Sequence, residues 1–390
     1  MLSHFWIRKV GAATTLLVCL IIIGSFLLRE GGRRTQGNPP EDFIQYYVQS
    51  VRLLHGAKVY NSRALHEKIE KELGWEYTEL PAANPPAFLL FSLPFSFMPY
   101  PLSWWILACF SMLAVLFTSV LVGKVCGLTS SQALFSGLVS LCSFPVLVLL
   151  ILNHIESILL LFLVLGWFAL RKGRYNLGSV LWGIAVALKL FPGVYLFPLL
   201  NSQHNRAGFK GFLVAFLVTV LGASIVGWDQ TYVYITEVIP GSWNFYSSFG
   251  NNSLLAAGTA LASPLLGWIL EVSVGSVVAV LMLIKPGSID RVWVTGTASS
   301  LLLSPLSWSY YFILIPPALI VLSRHLEWHR IEDRLLMYTL ALTLLWWPSL
   351  LGGWVKEWFL AMPNLPSVFM RFVPTYGLLC LCWTGFRRME

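Results

Sequence analysis

The chain has 390 residues, of which 57% are hydrophobic and only 11% are charged. A soluble domain of average composition is about one-quarter charged, so this composition excludes an ordinary soluble protein. The net charge of +8 is scattered over short segments between apolar runs. Because the basic residues form no continuous stripe, the sequence does not indicate a nucleic-acid partner.

The first apolar run, residues 10–28, directly follows Arg8 and Lys9. A signal peptide begins in the same way, but Arg29 and Glu30 follow the run where a cleavage site would have small residues. We therefore expect an uncleaved first membrane helix, with a cleaved signal peptide as the alternative.

Apolar runs of membrane-spanning length recur along the chain, for example at 101–122, 132–152 and 210–227. A helix needs about 20 residues to cross a bilayer. We therefore predict an all-α polytopic membrane protein that forms a single transmembrane domain over 1–390.

The basic residues predict the orientation of these helices. Of the 26 Lys and Arg residues, 15 lie in short segments on one side: Arg8, Lys9, Lys124, Arg171, Lys172, Arg174, Arg206, Lys210, Lys285, Arg291, Arg324, Arg330, Arg334, Arg387 and Arg388. Since short cytoplasmic loops are rich in Lys and Arg, we place this side and both termini in the cytoplasm. Residues 29–100 and 228–252 then form two long extracytoplasmic loops.

Residues 175–205 and 292–323 each lie between basic loops, so each has to cross the membrane an even number of times. We expect a break near Lys189 and Pro192 in the first segment and near Pro305 in the second. A helix broken at membrane depth has to line protein or a water-filled cavity. The predicted total is about 10–12 membrane helices, and a single crossing by the first segment is the alternative.

The segment "NPPEDFIQYYVQS", residues 38–50, predicts a helix within the first long loop. Asn38 suits the N-cap and Glu41 completes a capping box, which leaves Asp42 without a role in the cap. One face of this helix is apolar: Phe43, Ile44, Tyr47, Val48, Val51 and Leu54. The other face is polar: Asp42, Gln45, Gln49 and Arg52. Such a helix lies flat on a membrane, so we expect Asp42 to face water; attraction to the helix dipole is the alternative explanation.

The six cysteines lie nearly all inside apolar runs, and none falls in the polar segment after the first helix. No Cys/His cluster has the spacing of a zinc site. We therefore predict neither disulfides nor a bound metal or other cofactor.

Five segments follow one another in the order found in a single enzyme family, and together they cover about residues 40–320. They are "DFIQYYVQSVRLLHGAKVY" (42–60), "NPPAFLLFSLPFSFMPYPLSWW" (84–105), "GSVLWGIAVALKLFPGVYLFPLL" (178–200), "GNNSL" (250–254) and "SPLSWSYYFILIPPAL" (304–319). These segments resemble those of glycosyltransferase family 87, the polyprenyl-phosphate-mannose-dependent mannosyltransferases with the GT-C fold.

The resemblance implies an enzyme of the bacterial cytoplasmic membrane. It would move a sugar, expected to be mannose, from a polyprenyl-phosphate donor to a lipid or glycan acceptor on the outer face. In enzymes of this fold a carboxylate in the first extracytoplasmic loop is the catalytic base, and Asp42 holds the matching position. An ordinary carboxylate is ionised at neutral pH and accepts the proton of the attacking hydroxyl. Direct displacement would invert the anomeric configuration.

The phosphate of the donor needs a cation. Lys189 is a lone charge deep in an apolar run, and charges inside a membrane are costly and mostly functional. A lysine whose side chain reaches the membrane surface is the alternative interpretation. Arg52 and Lys58 in the long loop are further candidates, with solvated surface residues as the alternative.

Further polar and aromatic residues are candidates for binding the sugar or the acceptor: Tyr46, His154, Glu156, Asn251, Asn252, Ser307, Trp308 and Tyr310. A polar turn explains His154 and Glu156 equally well. Capping of the next helix is the alternative for Asn251 and Asn252.

The sequence departs from the family pattern at two places. Residues 153–156 read "NHIE" where the family has Gly-Gln-x-Asn, and "SYY" at 309–311 replaces an acid and one or two histidines. Both departures border the expected reaction centre. The sequence therefore leaves the identity of the sugar and of the acceptor open.

Two other functions are open at this point. A secondary transporter or lipid flippase would use the broken helices around Lys189 as its substrate site. Against it, the sequence has no internal repeat of the kind that many transporters show, and it has a long amphipathic first loop. A structural subunit of a cell-envelope assembly is the third interpretation, because the "SYY" segment departs from the family pattern.

Overall fold

The computed structural model describes residues 21, 24–25, 41–60, 84–201, 205–242, 245, 251–284, 287–346 and 371–389. Over these ranges the regular elements are helices, together with one isolated β-bridge between Asn251 and Trp308. The first nine are α1 (Glu41–Leu54), α2 (Pro86–Ser92), α3 (Tyr100–Val125), α4 (Ser130–Leu141), α5 (Phe144–Leu152), α6 (Glu156–Arg171), α7 (Tyr175–Leu188), α8 (Phe197–Leu200) and α9 (Asn205–Val226). The later ones are α10 (Trp228–Val233), α11 (Ile239–Ser242), α12 (Leu254–Leu261), α13 (Pro264–Ile284), α14 (Ile289–Leu302), α15 (Ile315–Ser323), α16 (Ile331–Ala341) and α17 (Val373–Arg388). The all-α prediction is confirmed for this part of the chain.

Short segments of other helix types connect several of these elements. Three are 3-10 helices: Leu93–Phe97, Phe191–Leu196 and Ser309–Leu314. Two are π-helical turns: Tyr234–Val238 and Leu342–Trp346. The second predicted loop, 228–252, is therefore helical from Trp228 to Ser242.

Three of the described helices, α3, α9 and α13, are long and apolar enough to cross a membrane. The pair α4 and α5 adds a fourth if the two helices form one span. On α9 the side chains of Phe209 and Phe216 are 66% and 63% exposed, as expected where a helix faces lipid. The chain is thus a multi-pass membrane protein, while the total of about 10–12 helices stays a prediction.

The apolar run 132–152 does not form one straight helix. α4 ends at Leu141, α5 begins at Phe144, and the two axes differ by 56°. Pro145 lies in the first turn of α5, where its missing N–H is tolerated, but it cannot continue the hydrogen-bond ladder of α4. Proline therefore divides the expected span into a bent pair.

The main core lies around the crossing of α6 and α7, and glycines allow this close approach. A Cβ on Gly166 would lie within 2.3 Å of the Trp182 ring, and one on Gly178 within 2.9 Å of the Gly166 carbonyl oxygen. Small residues at a crossing let two helix backbones pack closely. Because α6 and α7 are antiparallel neighbours, residues equally far from the crossing lie at one level. Glu156 at the start of α6 is therefore level with the end of α7.

The predicted helix α1 is present, but its predicted surroundings are wrong. Gln45, Gln49 and Arg52 of the polar face are at most 8% exposed, and Phe43 and Ile44 of the apolar face are buried as well. The helix lies inside the protein because α2, the 3-10 turn after it and α5 all pack against it. A sequence pattern shows that a helix has two faces, but not that protein covers both.

Both predicted helix breaks are present. α7 ends at Leu188, and Lys189 has an extended backbone, φ −149° and ψ 131°, before the 3-10 turn that contains Pro192. α14 ends at Leu302, and the chain stays non-helical as far as Trp308. The first break leaves Lys189, and the second leaves Tyr310, beside the start of α6 and the turn before it.

Candidate active site

The turn between α5 and α6 brings a histidine to α1. Asn153 ends α5 with a left-handed backbone, φ 49°, which Asn tolerates better than most residues. Its side-chain amide donates to the Trp104 carbonyl at 2.9 Å, which fixes the turn. The next residue, His154, is 4% exposed. Asp42 in the first turn of α1 lies beside it, with its side chain 19% exposed.

His154 lies between two carboxylates. Its Nε2 is 2.9 Å from Oδ2 of Asp42, and its Nδ1 is 2.5 Å from Oε2 of Glu156. The hydroxyl oxygen of Tyr46, one turn along α1 from Asp42, is 2.6 Å from Nδ1. The ring of Tyr310 stacks on the imidazole, with 3.9 Å between the ring centroids. Segments far apart in the sequence therefore meet at this one imidazole.

Glu156 connects this histidine to Lys189. Its Oε1 is 2.8 Å from Nζ of Lys189, and the same Nζ donates to the hydroxyl of Tyr311 at 2.9 Å. Glu156 is 2% exposed, and a buried carboxylate is tolerated only where partners such as His154 and Lys189 offset its lost hydration. We call the sequence of contacts from Asp42 through His154 and Glu156 to Lys189 the charge chain.

The electrostatic setting of His154 has two opposing causes. Burial alone would lower its pKa, because it penalises the charged form. The carboxylates of Glu156 and Asp42 outweigh burial and raise the pKa of His154 above its ordinary value. The imidazole is therefore biased toward its charged form.

Lys189 lies beside a small cavity. An ammonium group has three N–H donors, and Glu156 and Tyr311 accept two of them. The cavity lies against Lys189 and Glu156, and its other walls are apolar: Phe88, Ile155, Leu159 and Leu188. The cavity measures only about 10 Å³, the size of one water molecule, so it joins a cation to an apolar surface but does not itself hold a phosphate.

The second predicted group, around Asn251, holds two loops together. The Asn251 side chain donates to the carbonyl of Pro305 at 2.9 Å and accepts from the N–H of Ser307 at 2.8 Å. It also accepts from the N–H of Ser253, whose own side chain caps α12. The N–H of Asn252 donates to the Ser307 carbonyl at 2.8 Å. These contacts favour the structural interpretation of Asn251 over sugar binding.

Replacing Asn251 by Ala should therefore lower stability. The side chain is 0% exposed, so its loss leaves the Pro305 and Ser307 backbone groups without this partner, at about 1–3 kcal/mol. Thermal unfolding of the detergent-solubilised protein measures this, with the exposed Asn176→Ala as the control, expected within about 0.5 kcal/mol of wild type. Unchanged stability together with a raised substrate KM would instead favour sugar binding by Asn251.

The predicted residues divide into three groups. Six meet around the charge chain: Asp42, Tyr46, His154, Glu156, Lys189 and Tyr310. Ser307 and Trp308 lie at the contact with the Asn251 loop, directly before Tyr310 in sequence. Arg52 lies about 15 Å along α1 from Asp42 and donates to the carbonyl of Lys58, so it does not share the Lys189 position. Asn38 and the side chain of Glu41 lie outside the described residues.

Tyr311 belongs to the site, although the sequence did not single it out as a contact. Its hydroxyl accepts from Lys189, and its ring stacks on Phe191 with 5.2 Å between centroids. The available signal was its place in the "SYY" segment, directly after the helix break. That segment looked like a departure from a pattern, whereas it supplies two of the rings that enclose the charge chain.

Comparison of the sequence with known protein families identifies the family of the chain. The sequence matches the model of glycosyltransferase family 87 over residues 83–305, more than half of the chain. The chain belongs to glycosyltransferase family 87. The matched range includes His154, Glu156 and Lys189, whereas Asp42 precedes it and Tyr310 follows it. The roles of these two residues therefore depend on the geometry of the site.

A curated member of this kind is similar over part of the chain. Over 238 residues the chain is 25% identical to a polyprenol-phosphate-mannose-dependent alpha-(1-2)-phosphatidylinositol mannoside mannosyltransferase of Mycobacterium tuberculosis. The similarity covers 54% of this chain and 55% of the relative, so the chain spans about half the length of the relative it matches. No solved structure matches the chain.

Proposed function

We propose that this member of glycosyltransferase family 87 moves a sugar, mannose, from a polyprenyl-phosphate donor to a lipid or glycan acceptor. The name of the mycobacterial relative supports a polyprenol-phosphate-mannose donor and a glycolipid acceptor. The observation that carries the proposal is the charge chain, which joins the carboxylate of Asp42 to the ammonium of Lys189, both only partly buried. A base and a phosphate-binding cation are what this transfer requires.

In the proposed reaction Asp42 is the base. The acceptor hydroxyl oxygen bonds to the anomeric carbon while the bond from that carbon to the phosphate oxygen breaks. The hydroxyl proton moves to Asp42, and the polyprenyl phosphate leaves with the bonding electrons. In this proposal the ammonium of Lys189 stabilises the charge on the phosphate through a charge-assisted hydrogen bond. Attack opposite the leaving phosphate inverts the anomeric configuration.

Trp308 is the proposed contact of the sugar or the acceptor, whereas the neighbouring Ser307 is 0% exposed, which leaves no surface for its predicted contact with a substrate. They lie directly before Tyr310, whose ring borders the charge chain. Trp308 is only partly buried, which leaves ring surface for a sugar to stack on. We further propose that the single domain 1–390 adopts the GT-C fold.

The proposed location is the bacterial cytoplasmic membrane, with the site on the extracytoplasmic face. It rests on the 15 basic residues that the sequence puts in short segments of one side. In a cysteine-free background, a single cysteine at position 62 should react with an impermeant thiol reagent in intact cells. A cysteine at position 172 should react only after the cells are opened. The reverse pattern would contradict this orientation.

The function is tested with purified protein in vesicles that contain labelled polyprenyl-phosphate mannose and total membrane lipids. The expected result is a labelled lipid or glycan product that forms with wild type but only very slowly with Asp42→Asn. Movement of the donor across the bilayer without product would instead support the flippase interpretation. The absence of both a labelled product and donor movement would contradict both functions.

A further inference from the structure

The protonation state of the His154 imidazole follows from the groups that surround its ring. Nε2 lies 2.9 Å from a carboxylate oxygen of Asp42 and Nδ1 lies 2.5 Å from a carboxylate oxygen of Glu156. An ionised carboxylate only accepts hydrogen bonds, so each nitrogen has to donate. A neutral imidazole has a single N–H and would turn a lone pair toward one of the two carboxylates.

We infer that His154 is a positioning residue: an imidazolium, charged at neutral pH and throughout the catalytic cycle, that holds Asp42 in place for proton transfer and is itself held by Glu156. This role rests on the proposed function, since it serves the base of that reaction. It replaces the prediction that His154 and Glu156 bind the sugar or the acceptor. Their side chains are 5% and 1% exposed, which leaves almost no surface for a substrate.

The groups that face His154 support a charged ring from every side. α1 contributes Asp42 and the hydroxyl of Tyr46, and α6 contributes Glu156. The 3-10 helix Ser309–Leu314 contributes the stacked ring of Tyr310, whose π-electrons attract a cation. Lys189, the nearest cation in the charge chain, is separated from the ring by Glu156, which pairs with both.

The arrangement explains how Asp42 stays in place during the reaction. His154 holds Oδ2 of Asp42, so Oδ1 is the oxygen that takes the proton of the acceptor. When that proton arrives, Asp42 loses its charge, but Glu156 still balances the imidazolium. The ring therefore keeps both protons, and Asp42 keeps its orientation through the cycle.

The first test is the pH dependence of kcat in His154→Gln and Glu156→Gln. In wild type, activity should fall as pH rises through the pKa of His154, because the neutral ring no longer holds both carboxylates. Glu156→Gln removes a carboxylate that raises this pKa, so the alkaline fall should move to lower pH. His154→Gln still donates one hydrogen bond to Asp42 but does not titrate. Its kcat should drop about 10–100-fold, with no alkaline fall and little change in donor KM.

The matched control is His55→Gln, an exposed histidine at the end of α1 whose ring forms a hydrogen bond with the Val51 carbonyl of the same helix. It should keep both the rate and the pH profile of wild type. An alkaline fall that persists in His154→Gln, or that does not move in Glu156→Gln, would overturn the inference.

The second test does not depend on activity. Nitrogen-15 NMR of histidine-labelled protein in detergent micelles should show one ring with both nitrogens protonated well above neutral pH. This signal should be absent in His154→Gln and should titrate at lower pH in Glu156→Gln. A neutral His154 at pH 7 would overturn the inference even if sugar transfer is observed. If no transfer is observed at all, the proposed function fails, and the spectrum still decides the state of His154.

Discussion

Replacing Asp42 by Asn is expected to lower kcat by about 10²–10⁴-fold, the usual contribution of a general base. Asparagine keeps the size of the side chain, and its amide oxygen still accepts from Nε2 of His154. It cannot take the proton of the acceptor hydroxyl at neutral pH. The loss should therefore lie in kcat, measured as labelled product per folded protein, with donor KM nearly unchanged.

The control for this prediction is the adjacent carboxylate. Glu41 is assigned by its sequence to a capping box, which accepts Gln as well as Glu, so Glu41→Gln should be nearly silent. The two positions are about 100° apart around the helix and cannot both face one acceptor. If Asp42→Asn keeps near-normal transfer at equal protein abundance, another group is the base.

Replacing Lys189 by Met should affect both stability and donor use. The ammonium group pairs with the buried Glu156 at 2.8 Å, and removing one partner of a buried ion pair costs about 3–5 kcal/mol. The loss of a charge-assisted hydrogen bond to the donor phosphate costs about 1.5–3 kcal/mol more in binding. Donor KM should therefore rise about 10–100-fold. Thermal unfolding and donor titration measure the two effects separately.

A double variant separates these two effects. In Lys189→Met combined with Glu156→Gln, the carboxylate that lost one of its two cationic partners becomes a neutral amide, so part of the lost stability should return. The weak donor binding should persist, because the phosphate still has no ammonium partner. Recovery of donor affinity together with stability would show that Lys189 has only a structural role. A Lys189→Arg variant tests the charge alone and should retain part of the donor affinity.

The sequence by itself determined the local features of this protein. A run such as 101–122 predicts a membrane helix because apolar length alone decides that a segment spans. The breaks at Lys189 and before Trp308 were predicted because basic loops flank both segments on each side, so that each segment has to turn back within the membrane. The family segments could also be recognised from the sequence, because they are short motifs that follow one another in a fixed order.

Only the tertiary structure decided what each polar face touches. The polar stripe of α1 looked like the water-facing side of a surface helix, yet Gln45 and Gln49 are buried under neighbouring helices. Periodicity reports which residues share a face of a helix but not what packs on that face. Asn251 shows the same limit, because its spacing suits a cap, a sugar ligand or a clamp equally well.

The charge chain shows most clearly what the sequence determines and what only the tertiary structure decides. His154 follows Asp42 by more than a hundred residues, and Lys189 follows His154 by more than thirty. No local sequence pattern connects the three. The glycine-mediated crossing of α6 and α7 brings Glu156 level with Lys189, and the left-handed turn at Asn153 directs the histidine toward α1. The sequence determined which side chains carry charge, and close packing of helices distant along the chain decided which charges pair.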